Sequence, residues 1–308
     1  MIAACYGFAP SVLCIRDRDG KIRAASPGIY VGGRFRGWRW ASLPFTDVCA
    51  PLADGAGAAE AFAAALAHHQ RESGLKAIEI RSAVPGDAGS QYPLGYRHVI
   101  PLAADDREVF RRLRERSRRA VRRASREGLV ARREPDLRSA QLGFWRLHCA
   151  TRRKLGVPVQ SRAFFDAIWE RMVERDKGYV LSAYLGDRPV ASAVFLEHGP
   201  HLVYKFSASE PALAHLRGPS LVLWEAIRLA CRKGQARLDL GRTELEHDGL
   251  RYFKQGWGAE EEPLGYTYFG EGAPAKSRGA EGAVGQLIQR SPMFLARTIG
   301  RVAYRWAA

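Results

Sequence analysis

A lysine stands where a predicted buried strand ends, inside residues 238–258, LDLGRTELEHDGLRYFKQGWG. Residues 237–240 alternate polar and apolar side chains as a strand does, and Gly241 then frees the backbone for a loop. Asp248 is expected to cap a short helical turn that carries Lys254. Loops that leave a rigid strand often position binding and catalytic side chains. We therefore predict that Lys254 belongs to the functional site.

Two aromatic residues, Phe253 and Trp257, flank Lys254 in the predicted turn. A lysine held against apolar rings loses hydration, so its ammonium group acts more strongly on an anion or on a developing oxyanion. This predicts Lys254 as the catalytic residue and the two rings as part of the substrate-binding site. The alternative interpretation is a surface lysine whose aliphatic stem covers both rings.

Three more side chains are predicted to bind substrate near the same strand end. Arg242 follows the strand directly and is suited to a forked contact with a phosphate or a carboxylate. Tyr204 and Lys205 lie on a neighbouring strand and point to opposite faces of it, so at most one of them reaches a cleft there.

Four segments occur in an order that is typical of one family. They are residues 41–52, ASLPFTDVCAPL; 117–128, SRRAVRRASREG; 151–158, TRRKLGVP; and the segment 238–258. Together they resemble the FemAB family, the aminoacyl-tRNA-dependent transferases that add amino acids to peptidoglycan precursors, and its acyltransferase relatives with the GNAT fold. The resemblance covers roughly residues 5–270.

The resemblance implies a fold, a reaction and further site residues. It implies an α/β fold with mixed sheets, arranged as two tandem GNAT-like acyltransferase domains. It implies that Asp47 and Arg152 orient the acceptor and that no cofactor stays bound, because the acyl donor is a charged tRNA. An aminoacyl ester is already activated, so positioning and electrostatic help suffice without a protein nucleophile.

In a GNAT fold the loop before the second-domain helix at 220–233 meets the donor. Backbone amides at that helix N-terminus bind a pyrophosphate or an acyl carbonyl, which makes Arg217, Gly218 and Ser220 the predicted donor-binding residues. The usual coenzyme A loop requires glycine three residues after its first Arg or Gln and Gly or Ala two residues further on. Counting from Arg217 gives Ser220 and Val222, which favours an aminoacyl-tRNA donor over acyl-CoA. A plain helix entry at Gly218 fits the sequence equally well.

The chain also departs from the family pattern. No helix is expected before Tyr6, so the first domain is predicted to be short at its N-terminal end, which casts doubt on its acceptor-side pocket. The long helical hairpin that some members insert in the second domain is also missing, which weakens the expectation of extensive tRNA contacts.

The predicted organisation has four parts. These are a first GNAT-like, acceptor-side domain at 1–104, a basic connecting helix and strand at 105–135, a second GNAT-like domain carrying the site at 136–270, and a linker with a basic amphipathic helix at 271–308. The pattern supports these bounds with a hairpin turn at Asp17-Arg18-Asp19-Gly20, a helix at 58–72 and three consecutive strands after residue 178. Further predicted elements are strands at 76–81, 96–102 and 237–240 and helices at 138–155 and 162–175.

Composition restricts the partners. At 308 residues and 46% hydrophobic, the chain is long enough for two domains. Its five cysteines have no metal-binding spacing, which predicts reduced thiols, no metal site and a cytoplasmic location. The net charge of +16 favours anionic partners such as nucleic acid, lipid head groups or an anionic envelope precursor.

The basic residues concentrate between Arg107 and Arg133, where the spacing predicts one amphipathic helix of about six turns that ends at Gly128. Its arginine face is either a solvated surface or a ridge that follows phosphates. A second basic helix is predicted at 291–306, where Arg297 and Arg301 recur four residues apart. That helix either lies peripherally on an anionic membrane or docks its apolar face onto the protein's own core.

The sequence therefore predicts a FemAB-like transferase that forms an amide on an amine of a cell-envelope precursor. A first alternative is an acyl-CoA-dependent N-acyltransferase that acts on a polysaccharide or a secondary metabolite. A second alternative is a non-catalytic protein that binds an anion or RNA.

Overall fold

The computed structural model describes residues 1–33, 37–272 and 282–304. The chain forms two compact units. Of the described residues, the larger unit contains Met1 and residues 97–262 and 282–302, and the smaller unit contains residues 2–33, 37–96, 263–272 and 303–304. Two strands, at 90–101 and 260–270, have residues in both units.

The bounds of the elements are as follows. The helices are α1 (Ile2–Tyr6), α2 (Ala56–Glu72), α3 (Asp106–Arg112), α4 (Glu115–Arg126), α5 (Leu137–Ala140), α6 (Arg146–Lys154), α7 (Arg162–Arg171), α8 (Gly218–Arg232), α9 (Asp248–Gln255), α10 (Ala283–Arg290) and α11 (Met293–Ala303). The strands are β1 (Pro10–Arg16), β2 (Ile22–Gly33), β3 (Gly37–Ser42), β4 (Leu52–Ala53), β5 (Ala77–Ile80), β6 (Ser90–Pro101), β7 (Leu129–Arg133), β8 (Gly178–Leu185), β9 (Arg188–His198), β10 (His201–Ser209), β11 (Arg237–Glu244) and β12 (Glu260–Gly270). A π-helical turn spans Gln141–Trp145, and 3₁₀ turns span Val173–Arg175 and Pro211–Leu216.

The smaller unit is a sheet with α2 packed on it. Its strand order is β1-β2-β3-β5-β12, and β4 pairs with β2. The predicted hairpin is confirmed, because β1 and β2 pair antiparallel and the Asp17 carboxylate accepts hydrogen bonds from the Asp19 and Lys21 amides. The predicted helix at 58–72 is confirmed as α2, which buries Phe62 and Leu66 against the sheet.

Two features of this unit differ from the expectations. The chain does have a helix before residue 7, since α1 ends at Tyr6, whose ring stacks on Tyr304 at 5.5 Å. Residues 263–270, expected in the second domain, lie in the smaller unit because they pair antiparallel with β5. Strands β3 and β12 gave no clear sequence pattern, because β3 begins with exposed Gly37 and Trp38 and β12 begins with three glutamates.

The larger unit is a sheet with helices on it. Its strand order is β6-β11-β10-β9-β8-β7; β7 to β10 pair antiparallel, and β10 pairs parallel with β11. These strands match the predicted run after residue 178. Helix α8 packs against β7 to β10, and its buried face includes Leu223 and Ile227. The core of this unit also contains Phe195 and Trp257, which are 0% and 1% exposed.

The single helix predicted at 107–128 is wrong. Helix α3 ends at Arg112, Leu113 and Arg114 have extended backbone angles, and α4 starts at Glu115. The Arg114 amide donates to the carbonyl oxygen of Gly256 at 3.0 Å, and the Leu113 side chain is 2% exposed. The break therefore exchanges helical hydrogen bonds for a tertiary one and buries an apolar side chain.

The C-terminal helices dock on α6. Ile288 and Ala296 are fully buried in a small cluster with Cys149 and Val159. Gly300 approaches so closely that a Cβ there would lie 2.0 Å from the carbonyl oxygen of Val159. The segment therefore docks by its apolar face, which was one of the two alternatives for the tail. The predicted linker lies mostly outside the described residues.

A glycine in β8 gives a test of this packing. A Cβ at Gly178 would lie 2.4 Å from the Phe195 carbonyl oxygen on the paired strand β9, and a backbone atom has no room to move. We expect Gly178→Ala to lower the free energy of unfolding by about 1–3 kcal/mol. The control is Gly57→Ala in α2, where nothing lies within 4 Å of the added atom. Equal denaturation midpoints for the two variants would contradict the packing described.

Candidate functional site

Strands β10 and β11 of the larger unit pair with each other over only a short stretch. Their parallel pairing runs only from His201 with Arg237 to Val203 with Asp239, although both strands continue for several residues. In β10 the register against β9 shifts between Tyr204 and Phe206, so Lys205 is the extra residue of a β-bulge. The expected strict alternation of Tyr204 and Lys205 is therefore wrong.

The bulge fixes both predicted side chains of β10. The Tyr204 ring packs on Phe195 with ring centroids 5.2 Å apart, and its burial raises the pKa of the phenol. The Lys205 ammonium lies 5.7 Å from the centre of the Phe206 ring. A bulge beside unpaired strand ends aims side chains differently from a regular strand, which is a common arrangement next to active sites.

The predicted donor loop forms a tight entry into α8. Arg217 has a left-handed backbone with φ 61°. Gly218 is buried, and a Cβ at this position would lie 2.9 Å from the Cβ of Ala191. Pro219 has no N–H, and the Ser220 amide already donates to the Arg217 carbonyl at 3.0 Å. The first turn of α8 therefore offers fewer amides to a pyrophosphate than an ordinary helix N-terminus does.

The ammonium group of Lys254 is held by backbone oxygens. Its Nζ donates to the carbonyl oxygens of Gly241 and Arg242, both at 2.9 Å, and the residue is only 6% exposed. Gly241 was predicted to follow the strand but lies inside β11, where it adopts φ 73°, the left-handed region that glycine reaches without strain. A positive charge is thus fixed beside the C-terminal half of β11.

The residues around Lys254 are arranged differently from the aromatic setting that the sequence suggested. Trp257 lies in the core, whereas Phe253 is 39% exposed and contacts it with ring centroids 6.2 Å apart. The Arg242 guanidinium donates to Glu244 at 3.3 Å. His247 rather than Asp248 is the N-cap of α9, and no side chain caps the helix there.

A carboxylate fastens α9 to the sheet. Glu261 accepts two hydrogen bonds from Arg251, at 2.6 and 2.7 Å, one from Gln255 at 3.0 Å, and makes a 3.1 Å contact with the ring of His98. The other ring nitrogen of His98 lies 3.3 Å from the hydroxyl of buried Thr243. The Arg251 hydrogen bonds, helped by those from His98 and Gln255, lower the pKa of Glu261 to about 2.

Arg152 lies beside a buried histidine on α6. Its Nε donates to the carbonyl oxygen of Pro158 at 3.0 Å. One turn earlier, His148 is 2% exposed, contacts Gln160 at 2.8 Å and packs among aromatic rings such as Phe165 and Phe206. Burial, helped by the charge of Arg152, lowers the pKa of His148 to about 3, so its imidazole is neutral at physiological pH.

Asp47, the remaining predicted acceptor residue, lies in the smaller unit. Its backbone carbonyl accepts a hydrogen bond from the Tyr266 hydroxyl at 2.9 Å. The structure thus brings the Lys254 ammonium into contact with the Arg242 carbonyl. It places Tyr204 and Lys205 at one bulge. It places Arg217, Gly218 and Ser220 together at the start of α8. The roles of these residues remain predictions.

An open groove of about 1060 Å³ lies between α3, α4 and α8, and we call it the arginine groove. Phe110 and Trp224 pack together within it, with ring centroids 4.7 Å apart. Arg228 pairs with Asp106 and Glu225, and Arg119 lies 3.8 Å from Glu115. Within the described ranges, the other arginines of the groove make no ion pair; they are Arg107, Arg111, Arg122 and Arg126.

Sequence reasoning missed His98, His148, Glu261 and the groove. Each depends on residues far apart in the chain: His98 and Glu261 are 163 positions apart, and Trp224 reaches Phe110 from another helix. The only available signal was the charge of the α3–α4 region. Among the described residues, no cluster of His, Cys, Asp and Glu is arranged to hold a metal ion.

Comparisons with known proteins define the class. The family model described as an acetyltransferase (GNAT) domain matches residues 111–255, which run from α3 to Gln255 and include Lys254. This stretch of the larger unit is therefore similar to an acetyltransferase (GNAT) domain. None of the curated protein sequences compared with the chain matches it.

Solved structures extend the likeness over most of the chain. FemX superposes with a TM-score of 0.68 at 14% identity, covering 88% of this chain and 90% of its own. L-PGS from Bacillus licheniformis gives 0.58 at 13% identity, with coverages of 91% and 90%. A C-terminal domain assigned to a lysylphosphatidylglycerol synthetase of Agrobacterium fabrum gives 0.56 at 12%, with 84% of each chain covered. The predicted fold class of α/β GNAT-like domains in a FemAB-like arrangement is thereby confirmed.

The Glu261 network predicts a pH dependence of stability. The folded-state pKa of Glu261 lies below its ordinary value of 4.5, so its stabilising contribution is complete above that pH and is lost as the pH falls toward about 2. We expect Glu261→Gln to lower the thermal midpoint at pH 7, and the difference from wild type to shrink as the pH falls from about 4.5 to about 2. Glu262→Gln serves as the control, since its carboxylate is 44% exposed in a 3.3 Å pair with Arg97. A difference that stays constant with pH would refute the role of Glu261.

Proposed function

We propose that the protein is an acyltransferase that forms an amide on an amine of an anionic cell-envelope precursor, with aminoacyl-tRNA as the donor. The observation that carries the proposal is the ammonium of Lys254, fixed by two carbonyl oxygens within the GNAT match. The names of the similar structures, FemX and lysylphosphatidylglycerol synthetase, support an envelope acceptor.

The proposed chemistry needs little from the protein beyond position and charge. The acceptor amine attacks the ester carbonyl carbon, the C–N bond forms, and the carbonyl oxygen gains negative charge. Lys254 stabilises this oxyanion by its fixed positive charge, which costs no reorganisation during the reaction. The ester C–O bond then breaks, and the proton lost by the amine passes to the departing hydroxyl oxygen.

Two features support an RNA donor. The entry into α8 has few amides for a pyrophosphate, because Pro219 lacks an N–H and the Ser220 amide is used by Arg217. The arginine groove lies in the same unit and combines guanidinium groups that make no ion pair with the tilted Phe110–Trp224 pair. Guanidinium groups bind phosphates in fork geometry, and aromatic rings stack on bases.

The match to an acetyltransferase domain favours acyl-CoA as the second candidate donor. The two donors are separated by offering the purified chain both. Transfer from charged tRNA that disappears after ribonuclease treatment supports the proposal, whereas transfer from acyl-CoA with a rise in melting temperature on adding coenzyme A supports the alternative. An envelope-precursor amine and mass spectrometry of the product identify the acceptor.

Lys254→Ala tests the catalytic assignment. We expect kcat to fall by about 100-fold or more, since one donor to an oxyanion is removed, while KM changes little. The variant also leaves two buried carbonyl oxygens without their lysine, so its melting temperature is measured alongside. Lys233→Ala, whose ammonium pairs with Glu197 at 2.8 Å, is the matched control and should retain activity. Full transfer by folded Lys254→Ala would refute the catalytic role of Lys254, whereas no transfer by the wild-type chain from either donor would favour a non-catalytic anion binder.

Charge reversal tests the donor site separately. We expect Arg111→Glu with Arg122→Glu to weaken tRNA binding and to reduce the slope of log K against log salt by about 1 for each phosphate that the variant no longer neutralises. The control is Arg171→Glu with Arg175→Glu, two exposed arginines elsewhere in the same unit. Identical salt slopes for both double variants would show that the groove does not bind the donor.

A further inference from the structure

The docked C-terminal helices leave large apolar side chains uncovered. Val284 and Leu287 of α10 are each 59% exposed, and Phe294 and Leu295 of α11 are 66% and 43% exposed. They account for four of the sixteen large exposed hydrophobic residues in the described parts of the chain, within twelve positions. Scattered exposed apolar residues are ordinary, but such a concentration marks an interaction surface.

The surface continues onto the end of α6. The side-chain amide of Gln289 donates to the carbonyl oxygen of Lys154 at 3.1 Å, so α10 lies beside this helix end. The next residue, Leu155, is 53% exposed. We call the resulting set the C-terminal apolar patch; it consists of Leu155, Val284, Leu287, Phe294 and Leu295.

The patch is held rigidly rather than presented on a loose tail. On the opposite side of the same helices, Ile288 and Ala296 are fully buried, and Met293 and Ile299 pack against them. The hydroxyl of Ser291, at the corner between α10 and α11, donates to the Ile288 carbonyl at 3.0 Å. One face is thus used for docking while the uncovered side chains flank it.

The charge around the patch has one sign. Residues 282–304 contain three arginines and no aspartate or glutamate. Arg290 is exposed, and Lys154 is exposed at the neighbouring helix end. A protein partner would need matching carboxylates in fixed positions, whereas an anionic bilayer offers both a negative surface and an apolar layer directly beneath it.

We propose that the C-terminal apolar patch binds the surface of an anionic lipid bilayer. In this arrangement Leu287, Phe294 and their neighbours insert at the boundary between head groups and acyl chains, and Arg290 and Lys154 contact lipid phosphates. No helix in the described ranges is both long and apolar enough to cross a membrane, so the contact is peripheral. The proposal goes beyond the transfer reaction, because it requires none of the residues around Lys254.

Vesicle sedimentation of the full chain tests this proposal. The probes are vesicles of phosphatidylcholine alone and of an equal mixture of phosphatidylcholine and phosphatidylglycerol. The wild-type chain is expected to sediment with the mixed vesicles and to stay in solution with the neutral ones. Leu287→Ser with Phe294→Ser should lower the partition coefficient about tenfold or more, since two inserting side chains are removed. Arg290→Glu should lower binding to the mixed vesicles, because these carry the negative charge that the arginine contacts.

The matched control is Val130→Ser with Leu185→Ser, which removes two exposed apolar side chains from β7 and β8 of the same unit. This control should bind vesicles as wild type does. Three outcomes overturn the proposal: wild-type chain that ignores mixed vesicles, patch variants that bind as well as wild type, or a wild-type dimer that the patch variant converts to monomer. If the variant with Leu287→Ser and Phe294→Ser unfolds, vesicle binding by Arg290→Glu alone decides whether the proposal holds.

Discussion

A buried ammonium group must find oxygens, and the end of β11 is built to supply them. The two carbonyl groups that hold Lys254 belong to consecutive residues, Gly241 and Arg242, and both face the lysine because Gly241 takes a left-handed backbone. The parallel pairing of β11 with β10 ends at Asp239, two residues before the first of these carbonyl groups. The positive charge is therefore held beside the part of β11 that follows this pairing.

The helix that carries the lysine is fastened along its C-terminal half by two contacts. Arg251 and Gln255 bind the carboxylate of Glu261, and the Gly256 carbonyl just beyond the helix accepts the Arg114 amide. The first contact joins α9 to β12, and the second joins it to the start of α4. Side chains are positioned by such neighbours, so α4, which lines the arginine groove, and α9, which carries the lysine, are joined by direct contacts.

The sequence predicted what local patterns encode. The hairpin at Asp17, the helix α2 and the strands β8 to β10 follow from turn chemistry and periodicity, and so does the short helix that carries Lys254. The strand before that helix was predicted to end at Leu240, but β11 continues through Gly241 to Glu244. The break at Leu113 could not be predicted, because Arg114 exchanges a helical partner for a carbonyl 142 positions away. The bulge at Lys205 was equally hidden, since an extra residue in one strand shows only against its pairing partner. The family resemblance supplied the order of the domains, which periodicity alone does not give.

The composition of the docked C-terminal helices has a consequence for their response to acidity. Between Gly282 and Tyr304 the ionisable side chains are arginines and one tyrosine, with no histidine, lysine, cysteine or carboxylate. Arginine keeps its proton throughout the physiological range, and tyrosine is neutral there. The segment therefore holds none of the side-chain types that ordinarily change charge near neutral pH. A pH dependence of the proposed membrane contact would have to come from the lipid surface or from residues outside this segment.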